Sequence, residues 1–356
     1  MRARILPGHR RHSSGFTLVE LMVAILLGLF LIVGLISLLV STVTSRSELD
    51  KTGRQIENGR YALQVLSEDI QMAGFVGASA STAFETVAPT PCPANVAALG
   101  YFAMTSPGTS TVPLPVQGLS STPSCISNVM AGTAMLVVTR VNTSVVSPAA
   151  AVAAEAYLQV STCANDTLPF AAASGASAAS FPLMQKDCLA SKLAPLRKIV
   201  QHVYFVSTCN VCGTDTIPTL KMAEYLGGEM KITALVEGIE NLQFDYGIDM
   251  DANGSPDCYT SNPASPPASE IAVGVCPQTT PPYDWTAAMT NWANVMAIRI
   301  HVLARNTETS STWTDARTYE MGLAVPAAGP FNDHMKRHVY STVARLYNSS
   351  GQRETP

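Results

Sequence analysis

The sequence predicts an α+β protein, with one long N-terminal helix packed on an antiparallel β-rich globular head. The helix should be transmembrane in its first half and amphipathic in its second. Three observations predict this. Residues Leu21 to Val40 carry no charge, and Ser37 is their single polar side chain. From Ser41 to Ala73 the chain continues in helix formers, with Ile56, Leu63, Leu66 and Ile70 at helical spacings. Near the C-terminus, Ile298, Ile300 and Val302 alternate with Arg299, His301 and Leu303, the period of a strand.

The first element is a basic leader, residues 1–15, holding Arg2, Arg4, Arg10 and Arg11 and no acid. The apolar run follows directly. Twenty residues of helix span about 30 Å, the thickness of a bilayer's hydrocarbon core. Positive charge ahead of the run predicts a cytoplasmic N-terminus and an exported remainder. One carboxylate, Glu20, stands at the edge of the segment. A charge at membrane depth costs roughly 3 kcal/mol, so an unpaired one is normally avoided.

Gly15-Phe16-Thr17-Leu18-Val19-Glu20-Leu21-Met22 resembles the class III signal of type IV pilins and type II secretion pseudopilins residue for residue. The resemblance implies cleavage after Gly15 and N-methylation of the new terminus at Phe16. It makes Glu20 the fifth residue of the mature chain, where the family pairs this glutamate with the terminal amine of a neighbouring subunit. A buried carboxylate is tolerable once an ammonium neutralises it. An ordinary secretory signal would be cut after the apolar run, near Ser41 and Thr42, and an uncleaved anchor would not be cut. Neither needs Gly-Phe at the junction or a glutamate five residues on.

Residues 16–40 thus form the transmembrane half of the helix and 41–75 its amphipathic half. Arg54, Glu57, Arg60, Glu68 and Asp69 are expected to face water, and Gly28, Gly34, Gly53 and Gly59 are candidate interruptions. The stretch from Glu57-Asn-Gly-Arg-Tyr-Ala62 to Ala73-Gly-Phe75 resembles the second signature of PilW-type minor pilins.

The head is expected over residues 76–356, with loop-rich insertions at about 76–132 and 142–190. Val76–Gly132 is rich in Pro, Ser, Thr and Ala and reads as long loops. Ala134–Val141 and Ile199–Val206 read as strands. The Ala/Ser-biased Asn142–Leu183 reads as a poorly ordered excursion. Ile232, Leu235, Val236, Ile239 and Leu242 fall on one helical face, so a helix is expected there, followed by a strand at Leu242–Tyr246. That order, with Trp285 and Trp292 in an insertion, Val295–Arg305, and a closing strand at His338–Asn348, is similar to the C-terminal half of PilW-type pilins. It is similar more loosely to the J-type pseudopilin.

The chain is formally −4; losing the leader's four arginines leaves 18 basic residues against 26 acidic, or −8. An acidic mature chain without Lys/Arg runs is a poor nucleic-acid binder, since such binding relies on neutralising phosphate. The eight cysteines, Cys92, Cys125, Cys163, Cys188, Cys209, Cys212, Cys258 and Cys276, all follow the apolar run. An even number on an exported side reads as disulfides of an oxidising compartment. Connectivity stays open, with sequential pairing, which closes short surface loops, preferred. Cys209-Asn-Val-Cys212 has the spacing of a redox pair or half a zinc site. It follows a strand and precedes Gly213 rather than opening a helix, which favours a structural bridge.

Asp249-Met-Asp251-Ala-Asn253-Gly254-Ser255-Pro-Asp257 places oxygen donors as in the first half of a calcium loop, with the Ser255 carbonyl as a further ligand. The twelfth position is Thr260, not the bidentate glutamate. The alternative is a polar hairpin loop turning on Asn253-Gly254. Catalysis has little support. Of six histidines, His9 and His12 lie in the leader, while His334 and His338 lack the intervening glutamate of a metalloprotease. Neither a phosphate-binding glycine loop nor a nucleophile elbow occurs.

The reading is therefore a structural minor pilin of the PilW type, made in the inner membrane with its head in the periplasm and later part of an extracellular pilus. The implied partners are other minor pilins, the major pilin, the prepilin peptidase and the inner-membrane assembly platform. Alternatives are a tip adhesin or DNA-uptake module, and a membrane-anchored periplasmic redox protein.

Overall fold

The computed structural model describes residues 15, 17–77, 84–105 and 110–354. Leader residues 1–14 and Phe16 lie outside the described residues. Helix α1 runs from Leu18 to Met72, and none of its four glycines interrupts it. The compact units divide at residue 52: residues 1–51 form one and 52–356 the other.

In the first unit the helix start is closed by a reciprocal cap. The Glu20 backbone N–H donates to the Thr17 hydroxyl oxygen (3.3 Å), and the Thr17 N–H donates back to Glu20 Oε2 (2.9 Å). This is the capping box of a Thr three residues before a Glu. The large apolar side chains that follow, Leu21 to Val43, are exposed within the chain.

The second unit is the head with the end of α1. Strands β1 (Glu85–Val87) and β2 (Thr111–Pro113) form a parallel pair. A seven-stranded antiparallel sheet contains β3 (Val116–Leu119), β4 (Met135–Val141), β5 (Ala156–Val160), β6 (Phe170–Ser174), β7 (Leu196–Ser207), β8 (Thr219–Leu226) and β9 (Glu229–Glu237). The twelve-residue β7 is its centre, pairing with β4, β5 and β8. The second antiparallel sheet holds β10 (Ile239–Ile248), β11 (Cys258–Thr260), β12 (Val295–Arg305) and β13 (Arg337–Arg345), in the order β11-β10-β12-β13. Short helices α2 (Ala288–Ala293) and α3 (Tyr347–Gly351) precede β12 and follow β13.

The main core lies where α1 meets both sheets. Ala62, Leu66, Ile70 and Ala73 pack with Leu136 and Tyr204 of one sheet and with Phe244, Ile298, Ile300 and Ala344 of the other. The buried stripe of the helix runs through Gln55, Gly59, Ala62, Leu66, Asp69 and Ile70. This corrects two expectations: Ile56 is 38% exposed, and Asp69, expected in water, is 7% exposed. Gly59 sits in a helix interior because the Tyr340 ring of β13 occupies the space that a β-carbon would need.

Three further expectations are corrected. The helix expected over 232–242 is two strands, β9 and β10. They belong to different sheets, and the chain turns between them at Gly238, whose φ is +75° and whose β-carbon would meet the Arg305 carbonyl. Helical spacing arose here by adding apolar positions across that turn. The excursion at 142–183 contains β5 and β6, whose Phe170, Tyr157 and Leu158 are buried. The stretch read as loops at 76–132 contributes β1, β2, β3 and a 3₁₀ turn at Val96–Leu99.

Candidate functional site

The processing and assembly residues belong to the first unit. Gly15 is exposed, and Phe16 lies outside the described residues. Glu20 Oε2 also accepts from the Thr17 hydroxyl at 3.0 Å, so both Thr17 donors end on one carboxylate oxygen. From Leu18 to Ser45, Glu20 is the sole ionisable side chain.

The Asp249–Asp257 loop leaves β10 and returns as β11. Asp249, Asp251 and Asp257 offer oxygens within 4.8 Å of one another. Asp249 is 1% exposed. Its Oδ1 accepts from the Asn253 N–H (3.1 Å), and its Oδ2 from the Gly254 N–H (3.0 Å) and from Arg353 Nη1 (3.0 Å). Asp251 accepts from the Asn253 backbone (3.2 Å) and side chain (3.0 Å). Asp257 accepts from the Met250 N–H (2.7 Å), and the Ser255 N–H donates to Asn253 Oδ1 (2.7 Å). Gly254, at φ +85°, lets the loop pass under the Ser350 carbonyl. Thr260 donates to Glu270 (2.8 Å) and so is engaged away from the loop. The donor set fits a cation in part: three carboxylates converge, but a guanidinium already balances the buried one. Arg353 had no signature in the sequence, since its role depends on α3 folding back beside the loop.

The cysteines form four bridges, Cys92–Cys125, Cys163–Cys188, Cys209–Cys212 and Cys258–Cys276. This is the sequential pattern, and Cys258–Cys276 closes the chain beyond the acidic loop.

Three buried polar clusters escaped the sequence reading. In the first, Asp69 of α1 accepts from Arg140 Nε (2.7 Å), from the Tyr204 hydroxyl (2.9 Å) and from His202 Nδ1 (2.7 Å). Burial pushes its carboxyl up, but the His202 hydrogen bond and charge, with Arg140, outweigh it and hold the pKa at about 2. In the second, Arg337 of β13 binds Glu240, Asp315 and Asp333 and lies 3.8 Å from the Phe331 ring centroid. Burial opposes its charge, but Asp333 and Glu240 raise its pKa, and Asp333 in turn is lowered to about 2. In the third, on the face of the second sheet turned from α1, His301 Nδ1 pairs with Ser341 Oγ (2.8 Å) and Nε2 with Asp245 Oδ2 (3.2 Å). Asp245 Oδ1 also accepts from the Leu323 N–H (2.9 Å), pinning the segment around Gly322 to the sheet. His334 and His338 form no metal cluster among the described residues.

A long N-terminal apolar helix bearing Glu20 at its start, together with an antiparallel β-rich head, defines a pilin-like protein anchored in a membrane by that helix. Residues 10–36 match the prokaryotic N-terminal methylation motif. Residues 203–348, from β7 through the start of α3, match the family model of the type IV pilus-assembly protein W. The chain thus joins an N-terminal methylation motif to a C-terminal region similar to that family, which supports a type IV pilus-related, pilin-like protein. No curated protein and no solved structure matches it.

Proposed function

We propose that the chain is a minor pilin, a structural subunit cut after Gly15, N-methylated at Phe16 and incorporated in or near the tip or priming complex of a type IV pilus. The observation that carries this is Glu20: a lone carboxylate at the head of a membrane-length apolar helix, inside a methylation motif. The Thr17 donors bind Oε2 and neither binds Oε1, which suits a second, ionic partner. Before assembly the helix lies in the inner membrane with the head in the periplasm; the partners are other minor pilins, the major pilin, the prepilin peptidase and the assembly platform. Association is driven by packing of the apolar helices, and Glu20 compensates the terminal amine of a neighbour. The buried clusters have structural work: each ties a loop or the helix to a sheet.

Mass spectrometry of the mature N-terminus tests the reading. The expected chain begins at Phe16 and carries one methyl group on its amine. A chain beginning after Ser41, or one that retains its leader, would overturn it.

A further inference from the structure

The four disulfides are not alike. Three join cysteines 18 to 33 positions apart, whereas Cys209–Cys212 closes a loop of separation 3. Cross-linking so short a loop removes the least chain entropy from the unfolded state, so this bridge contributes least to holding the fold. It is also the accessible one: Cys212 alone of the eight cysteines is exposed, while Cys209 is buried. Between them Val211 is 58% exposed.

The surroundings are those of a reactive sulfur. Lys221 Nζ, from the adjacent strand β8, lies 3.5 Å from Cys212 Sγ. Ser207 Oγ lies beside both sulfurs, 3.5 Å from Cys209 Sγ and 3.8 Å from Cys212 Sγ. Two acids face this turn. Asp215 accepts from the N–H groups of Asn210, Val211 and Ile217, and Glu237 accepts from the Asn210 side chain. Asp215 is thus spent on clamping the turn. Burial lowers the pKa of Lys221, with Asp215 opposing, so a thiolate beside it would be a welcome counter-ion.

The geometry points to Cys209–Cys212 as an exchangeable disulfide that accepts electrons from dithiols, with Cys212 the attacked sulfur and Lys221 the group that stabilises its thiolate. A dithiol's thiolate attacks Cys212 Sγ, the bond between the two cysteine sulfurs breaks, and Cys209 leaves with the electron pair, hydrogen-bonded by Ser207. The dithiol's second thiolate then attacks its own sulfur in the mixed disulfide, and Cys212 leaves as a thiolate beside the Lys221 ammonium. Two electrons have passed to the pair. The dithiol has become a disulfide; of its two protons one ends on Cys209 and one in solvent. Cation-assisted lowering of thiol pKa is the general basis of such reactivity.

The test uses the full chain in detergent micelles, treated with graded dithiothreitol, quenched with iodoacetamide and mapped by mass spectrometry. Cys209 and Cys212 should become alkylated at reductant levels that leave the other six cysteines bridged. In the reduced pair, Lys221→Met should slow alkylation of Cys212 at pH 7 about tenfold. Lys221→Arg should largely restore it, and the difference should close near pH 10, where the thiol ionises unaided. If Cys209–Cys212 opens no earlier than Cys92–Cys125, the proposal is overturned on the wild-type chain alone. Wild-type alkylation rates in Lys221→Met would overturn the role of the lysine.

Discussion

The carboxylate of Asp69 on α1 lies 2.7 Å from Nδ1 of His202 on β7, in the interior of the head. With Arg140 and Tyr204 it forms a polar joint between the helix and the central strand, set beside the apolar contacts of Leu66 and Ile70. Removing one member of a buried ionic cluster leaves the others desolvated without compensation, which costs about 3–5 kcal/mol. Asp69→Ala should therefore lower the unfolding free energy of the head by that order, read as a shift of the urea midpoint with unchanged slope. A shift no larger than that of Glu68→Ala, which alters an exposed neighbour, would show that the joint contributes nothing.

The same carboxyl sets a pH dependence. Its pKa in the folded chain, about 2, lies below the ordinary 3.8. A depressed folded pKa contributes stability that is full above the unfolded value and is lost as pH falls through the folded one. The window is thus about pH 4 down to about pH 2, and the contribution is on the order of 2 kcal/mol. Comparing wild type with Asp69→Asn by urea unfolding should show a gap that narrows across this window. A gap constant from pH 6 to pH 2 would sink the assignment.

Gly59 and Gly53 should respond in opposite directions to the same change. A β-carbon at Gly59 would collide with the Tyr340 ring, whereas one at Gly53 meets nothing within 4 Å. Gly59→Ala should destabilise the head by about 1–3 kcal/mol, the usual cost of overpacking. Gly53→Ala should stabilise it by up to about 1 kcal/mol through helix propensity. Thermal unfolding of the two variants decides the matter; matching shifts of either sign would contradict the close approach of Tyr340.

These residues show which parts of the fold were legible. The apolar run, the β-branched strands β4, β7 and β12 and the part of β10 from Leu242 onward announce themselves, because each rests on local pattern. Strand β9 did not: its exposed edge position gives a weak alternation, and its apolar residues join those of β10 across Gly238 into a false helical period. Strand β6, Phe-Ala-Ala-Ala-Ser, has little intrinsic β signal and is held by its pairing with β5. Glu20 was legible because a charge in an apolar run needs a reason. Asp69 and Arg353 were not, because their partners lie 71 to 135 and 59 to 104 positions away.

Glu20 should matter for assembly and not for the head. Two roles are separable. As a cap it accepts from Thr17, which an amide oxygen can also do; as a counter-ion it needs its charge. Glu20→Ala and Glu20→Gln should both reach the membrane at wild-type levels and both enter sheared pili poorly, scored by immunoblot of the membrane and pilus fractions. Incorporation of Glu20→Gln at the wild-type level would assign the residue to capping alone and remove the ionic pairing from the assembly model.

The acidic loop gives the last prediction. Asp249 is buried, and its counter-ion within the chain is Arg353, which is itself held by Asn294 Oδ1 at 2.7 Å and the Ala293 carbonyl at 3.2 Å. The loop's N–H groups at Asn253, Gly254 and Ser255 are already taken by its own side chains. Folding of the turn thus needs no metal, and Thr260, bonded to Glu270, leaves the twelfth position of a calcium loop without a carboxylate. In the wild-type chain, millimolar calcium should leave the melting temperature of the head unchanged. Arg353→Met strips the guanidinium from a buried carboxylate and should lower that temperature, since an unpaired buried charge typically costs about 3–5 kcal/mol. In that variant alone, calcium should recover part of the loss, because three carboxylates would then converge with no cation between them. Asp251→Ala in the same background should abolish the recovery. If calcium stabilises the wild-type head and Asp251→Ala removes the effect, the loop is a metal site in spite of Arg353, and the guanidinium is an adjunct to the ion and not its substitute.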